Sequence, residues 1–195
     1  MFSPTSGASQ QPTLIPAGTL AFAAVKVREL KKSQSTGGEY ADLELTIDGG
    51  DFNNRKVFEM VCNPMDEKNS EGWRKMGIGN LTRMFEAAGL FKVEDPSSYE
   101  KLNGQNFLTI CQYLDGARIA IKVKVEKDKD GAHPDRNKVG EYLSPNPNSG
   151  SNANYKKLLD GGAGAVSAAR STAFGSAPAA PVAGTSAPSW LNQPK

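Results

Sequence analysis

The chain has 195 residues, 23 Lys and Arg against 21 Asp and Glu, and a formal net charge of +2. That length fits one domain with low-complexity flanks, and no apolar stretch approaches the roughly 20 residues needed to cross a bilayer, so a soluble, cytoplasmic protein is expected. Residues 144–195 hold Lys156, Lys157, Arg170 and Lys195 against Asp160 alone, and residues 1–18 hold no charge; a tail of +3 in a total of +2 leaves −1 for residues 19–143, which excludes binding of a polyanion through bulk charge and leaves only a local groove.

Residues 1–18 read as a flexible N-terminal arm without the basic start and apolar run of a signal peptide. Thr19–Leu30 is a strand in which Leu20 and Phe22 alternate before the phase moves to Val25 and Val27, so a β-bulge is expected at Ala23-Ala24. Lys26 and Arg28 oppose the two valines, and Lys31-Lys32 lead into the loop Ser33-Gln34-Ser35-Thr36-Gly37-Gly38. A second strand sets Ala41, Leu43, Leu45 and Ile47 against Tyr40, Asp42, Glu44 and Thr46, and Asp48-Gly49-Gly50 turns it. Arg55–Cys62 is the third strand, ended by Asn63-Pro64. Alternation alone does not decide whether Val57 or Phe58 enters the core.

The period then changes to that of helices. Ser70–Met76 forms a short helix that Gly77-Ile78-Gly79 interrupts, and Asn80 caps a second, with Leu81, Met84, Phe85 and Ala88 on one face and Gly89 closing it. Pro96 opens a further helical stretch, broken near Gly104, in which Phe107, Leu108, Cys111 and Leu114 recur at helical spacing. Two strands follow as a hairpin. Ile119, Ile121, Val123 and Val125 fall on one face of the first arm and Arg118, Lys122, Lys124 and Glu126 on the other. A long polar turn leads to the return arm Lys138–Leu143, stopped by Ser144-Pro145.

Three meander strands leave an apolar face and two edges uncovered; two more strands can close the sheet while the helices plug one end. Five strands with the helices between the third and fourth is the arrangement of the OB-fold, a mainly β barrel whose first and last hairpin loops line a groove. Those loops are Lys31–Glu39 and Lys127–Asn137, both polar and rich in cations. The domain is thus expected over 19–143. Residues 144–195, dominated by Ala, Gly, Ser, Pro and Asn, are expected to stay unfolded apart from a transient helical turn at Tyr155-Lys156-Lys157-Leu158-Leu159. Trp190 and Leu191 at their end are candidate anchors for a partner protein.

Three stretches, Ile78-Gly79-Asn80-Leu81 with Glu86-Ala87-Ala88-Gly89-Leu90, Leu114–Val123, and Asn137–Leu143, stand in an order that resembles the small phage-encoded single-stranded DNA-binding proteins with one OB-like domain and a disordered tail. The resemblance implies coating of single strands exposed in phage DNA replication or recombination. The familiar bacterial proteins of this function end in an acidic tail with an apolar tip. This tail is basic, so that tail mechanism does not transfer.

Unpaired strands are held by bases stacked on aromatic rings while cations follow the phosphates. Tyr40 and Tyr142, both outward by alternation, are the candidate stacking residues, with Phe58 and Phe52 behind them; Lys26, Arg28, Lys31, Lys32, Lys122, Lys124 and Arg136 are the candidate phosphate contacts. Phe22, Phe85 and Phe107 are read as core, and Trp73 as packing on the helical insert. Enzyme readings find little: His133 is the sole histidine, Cys62 and Cys111 stand far apart, and the carboxylates are scattered. No metal or cofactor is expected. An RNA-binding or strand-annealing OB protein, or a protein-interaction module acting through the tail, would use the same features.

Overall fold

The structure, a computed structural model, describes residues 14–161 apart from 129 and 132. In chain order the elements are β1 (Leu20–Lys32), β2 (Glu39–Asp48), β3 (Lys56–Cys62), α1 (Glu71–Ala87), α2 (Ser97–Glu100), α3 (Phe107–Leu114), β4 (Arg118–Glu126), β5 (Arg136–Leu143) and α4 (Asn152–Asp160). The clean alternation of β2 buries Ala41, Leu43, Leu45 and Ile47, and that of β4 buries Ile119, Ile121 and Val123. They line one face of a five-stranded antiparallel sheet of order β3-β2-β1-β4-β5. Leu81, Met84 and Phe85 of α1 and Phe107, Cys111 and Leu114 of α3 complete this core.

The two outer strands approach each other, but no backbone ladder joins β3 to β5 among the described residues. Glu59 shares the inner side of β3 with Val57 and Val61, and its carboxylate takes the place of a ladder. Val139 N donates to Glu59 Oε1 at 2.6 Å, and Lys138 Nζ donates to the Phe58 carbonyl at 2.7 Å. The expected barrel is therefore an open sheet with a side-chain seam.

Two bulges decide which side chains face out. In β1 the irregularity lies at Arg28, between Val27 and Glu29, and not at Ala23-Ala24. Ala21, Ala23, Val25 and Val27 keep one phase toward the core, while Leu20 and Phe22 point to the other side of the sheet. Ahead of the start of β4, the Asp115 carboxylate accepts the Val27 N–H at 2.7 Å, on the side of β1 where the pairing with β4 has ended. In β5 the extra residue is Gly140: the register steps from Val139↔Val123 to Glu141↔Lys122. That step reverses every following side chain. Tyr142 pairs with inward-facing Ile121 and packs against the core, so its expected outward orientation is corrected.

The second apolar layer comes from a segment expected to be unfolded. Helix α4 lays Leu158, 3% exposed, over Phe22, Ala120 and Leu143, with the Tyr155 ring edge-on to Phe22 at 6.3 Å between centroids. The link to it is held by Asn152, whose Nδ2 donates to the Ser144 and Pro145 carbonyls at 3.1 and 3.0 Å. At the other end Ile15 is buried, and its N–H and C=O both bond the Asn137 side chain, at 2.9 and 2.8 Å. The ordered body therefore runs past both expected boundaries, 19 and 143. The rest of the N-terminal arm, and Trp190 and Leu191, lie outside the described residues.

Helix α1 is also continuous where an interruption at Gly77 was expected. A Cβ at Gly77 would collide with the Cys62 carbonyl oxygen, so glycine here lets the helix press onto β3. Its moderate cost to the helix, roughly 1 kcal/mol relative to Ala, is offset by that close packing.

Candidate nucleic-acid interface

With Val57 in the core, the alternation of β3 sends Lys56, Phe58 and Met60 outward. Phe58 is 44% exposed and Met60 46%, two large apolar side chains in succession on an edge strand. Two residues of a strand span about 6.8 Å, so they form a short apolar row. Tyr40, half-buried on β2, stands opposite Cys62 and extends it. On β1, Lys26 pairs in register with Glu44, which in turn pairs with Phe58. The Arg28 guanidinium, outward in the same phase as Lys26, lies 5.3 Å from the Phe58 ring centroid.

Carboxylates on this face are each tied to a cation. Asp42 Oδ2 is bonded by Arg28 Nη1 at 3.2 Å and by Lys31 Nζ at 2.7 Å, and Lys31 Nζ also meets Glu29 at 2.8 Å. Glu44 is bonded by Lys56 at 2.8 Å. The hydrogen bonds from Asp42 and then Glu29 raise the Lys31 ammonium above its ordinary pKa, so it stays charged at any physiological pH. Lys26, Arg28, Lys31 and Lys56 thus face Asp42, Glu44 and Glu29, an excess of one positive charge. Partners of this kind on a wet surface contribute little to stability and can be exchanged for phosphates.

The face lies between the two hairpin loops. Residues 33–38 join β1 to β2, with Lys32 exposed at their start. The base of the β4–β5 hairpin reaches β3 through the Lys138 contact to the Phe58 carbonyl. Arg136 there is exposed and bonds Glu126 at 2.7 Å, which holds the Glu126 carboxyl below its usual pKa. Lys124 is exposed opposite Lys138, so an outer belt runs Lys124, Lys138, Phe58, Glu44, Lys26 around all five strands.

Of the residues singled out from the sequence, Lys26, Arg28, Lys31, Lys32, Tyr40 and Phe58 come together on the β1–β2–β3 side. Lys124 and Arg136 flank that side. Lys122 does not join it: it pairs with Leu20 and Glu141, beside α4, whose Asn154 bonds Glu141 at 3.0 Å. Tyr142 is separated too. It lines a cleft of about 600 Å3 with Glu59, Arg83, Glu86 and Glu141, where burial and then the Glu59 charge raise its phenol pKa. Phe52 is half-buried and packs on the core. Met60, Lys56 and Lys138 were missed, although fixing the phase of β3 and β5 would have found all three.

His133 is exposed in the β4–β5 loop, and its N–H donates to Asp128 at 2.9 Å. Burial raises the thiol pKa of Cys111 to about 12 and also raises that of Cys62. Among the described residues no helix is long and apolar enough to cross a membrane. Compared with models of known protein families and with the sequences of curated proteins, the chain gives no match.

Proposed function

We propose that the chain is a single-stranded DNA-binding protein of OB-fold type that grips its ligand on the outer β1–β2–β3 face. The fold part of this reading is supported by the shared central strand β1, the helices between β3 and β4, and the near meeting of β3 with β5. One observation carries the ligand: Phe58 and Met60 stand open beside Tyr40 on a surface whose carboxylates are already paired with Arg28, Lys31 and Lys56. Unpaired bases offer flat apolar faces to such a row, and their phosphates compete for the flanking cations. A duplex hides its base faces in the stack and gives this row nothing to hold.

The role is binding rather than catalysis. From the resemblance comes the setting: coating and protecting strands exposed during phage DNA replication or recombination, in the host cytoplasm, with Trp190 and Leu191 recruiting proteins of those processes. A gel shift with single-stranded DNA, duplex DNA and RNA oligomers of equal length tests the core of it. Single-stranded DNA should shift and release steeply with added salt, because phosphate neutralisation frees counterions. Preference for RNA would redirect the reading to an RNA-binding protein. No shift with any oligomer in dilute buffer would refute it and leave a protein-interaction module.

A further inference from the structure

Trp73, expected to serve as packing on the helical insert, is 38% exposed in the first turn of α1. Its indole forms one wall of a cleft of about 260 Å3 whose remaining lining is Ser33, Ser35, Thr36, Asn69 and Ser70. A volume just under the usual ~300–1,000 Å3 of small-molecule pockets suits one planar ring system. No charged side chain lines it. The hydroxyls are partly engaged with each other: Ser33 Oγ and Ser35 Oγ are 3.0 Å apart, and Thr36 Oγ1 accepts the Gly38 N–H at 3.2 Å. Each hydroxyl both donates and accepts, so capacity remains for a ligand edge.

The cleft is built, not incidental. Asn69 is almost fully buried, and its Nδ2 donates to the Glu39 and Asn63 carbonyls at 2.9 and 3.0 Å. The Asp66 carboxylate accepts the Glu39 N–H at 2.8 Å. These bonds tie the segment before α1 to the start of β2, which fixes Trp73 against the β1–β2 loop. Two cations stand near the cleft: Lys32 is exposed where that loop begins, and the Lys68 stem lies against Gly37, with the Asp66 carboxylate close to both. Tyr40 and Cys62, paired at this end of the sheet, link the cleft to the Phe58–Met60 row.

We infer that Trp73 and the β1–β2 loop form a terminal subsite that takes a single unpaired nucleobase, stacked on the indole and contacted at its edge by the Ser33, Ser35 and Thr36 hydroxyls. The inference rests on the binding function proposed above and extends the path beyond the sheet. Lys32 and Lys68 hold the phosphates that flank this base.

Tryptophan emission and binding are read together, using oligo-dT and an abasic oligomer of the same length. Wild-type emission should be quenched by oligo-dT and hardly by the abasic strand. Trp73→Phe keeps a ring: it should bind within several-fold of wild type yet lose the quench, with Trp190 remaining as internal reference. Trp73→Ala should bind about 5- to 150-fold more weakly, the range for losing one stacked base. Quenching that persists in Trp73→Phe, or an unchanged affinity in Trp73→Ala, overturns the subsite while oligo-dT still binds. Should Trp73→Ala fail to fold, the Trp73→Phe comparison decides alone. Absence of oligo-dT binding by the wild type removes both the subsite and the function it rests on.

Discussion

Replacing Asp42 with Asn should tighten the grip on single-stranded DNA. The Asp42 carboxylate has a side-chain exposure of 16% and is shared by Arg28 and Lys31, at 3.2 and 2.7 Å. A phosphate oxygen bonded to either cation from its other side would lie about 5–6 Å from Asp42, two successive hydrogen-bond lengths. Two unit charges 6 Å apart repel by about 0.7 kcal/mol at the permittivity of water and about 2.8 kcal/mol at an effective value of 20. Removing the carboxylate while keeping its volume should therefore strengthen binding about 3- to 100-fold at low salt. The gain should shrink as salt rises, because screening acts within about 8 Å at physiological ionic strength. The change releases Arg28 from its carboxylate and leaves Lys31 with Glu29 alone, so the dependence of log affinity on log salt should also steepen, by about 0.7 for the one released cation on a single strand. Fluorescence anisotropy of labelled oligo-dT across a salt series reads both quantities, with Glu100→Gln, on the exposed short helix α2, as a charge-matched control. Unchanged or weaker binding by Asp42→Asn, at an unchanged slope, would refute the placement of the phosphate path.

Phe58→Ala should weaken oligo-dT binding by about 1–3 kcal/mol, the cost of one lost stacking platform, with little change in thermal midpoint because the ring is 44% exposed. Leu158→Ala should lower urea stability by about 2–5 kcal/mol, since it uncovers Phe22, Ala120 and Leu143; a loss below ~0.5 kcal/mol would mean that α4 does not hold the sheet. Tyr142→Ala should cost stability, measured by urea unfolding, and not base stacking. The Tyr142 phenol is held above its ordinary pKa of about 10, chiefly by burial. Its contribution is thus complete below pH 10 and declines as pH climbs beyond that value, where the unfolded chain ionises first. Tyr142→Phe should lessen the alkaline decline without abolishing it, because Cys62, Cys111 and Lys31 are also raised and lose stability in the same direction; a slope above about pH 10 identical in Tyr142→Phe and wild type would contradict the assignment.

Alternation made β2 and β4 legible because each is buried on one side by the core and carries charge on the other over most of its length. It failed where one residue was inserted. Gly140 has no side chain to advertise a bulge, so strict counting put Tyr142 outside. Arg28 is a long cation that reads as an ordinary outward residue, so nothing in its identity marked the irregularity in β1. The apparent phase shift at Ala23-Ala24 has another cause: Phe22 is buried on the far side of the sheet by a helix 130 residues later in the chain. That helix registered only as a transient turn at Tyr155–Leu159, because nine residues with two useful apolar side chains give almost no periodic signal. Such a helix owes its existence to packing rather than propensity. Most of the candidate face was found despite these errors, since Lys26, Arg28 and Phe58 lie on stretches where the count was still in phase or left open.

Where four pairs of neighbouring strands are laced by runs of main-chain bonds, β3 and β5 depend on one carboxylate and one ammonium. That seam is the weakest line of the open sheet, and it runs along the Phe58 carbonyl. Loosening there breaks few bonds and leaves the remaining ladders whole, so local opening should precede global unfolding. The Val139 amide, bonded to Glu59, is accordingly the one whose hydrogen exchange would report a breathing motion of β3 and the candidate face it carries.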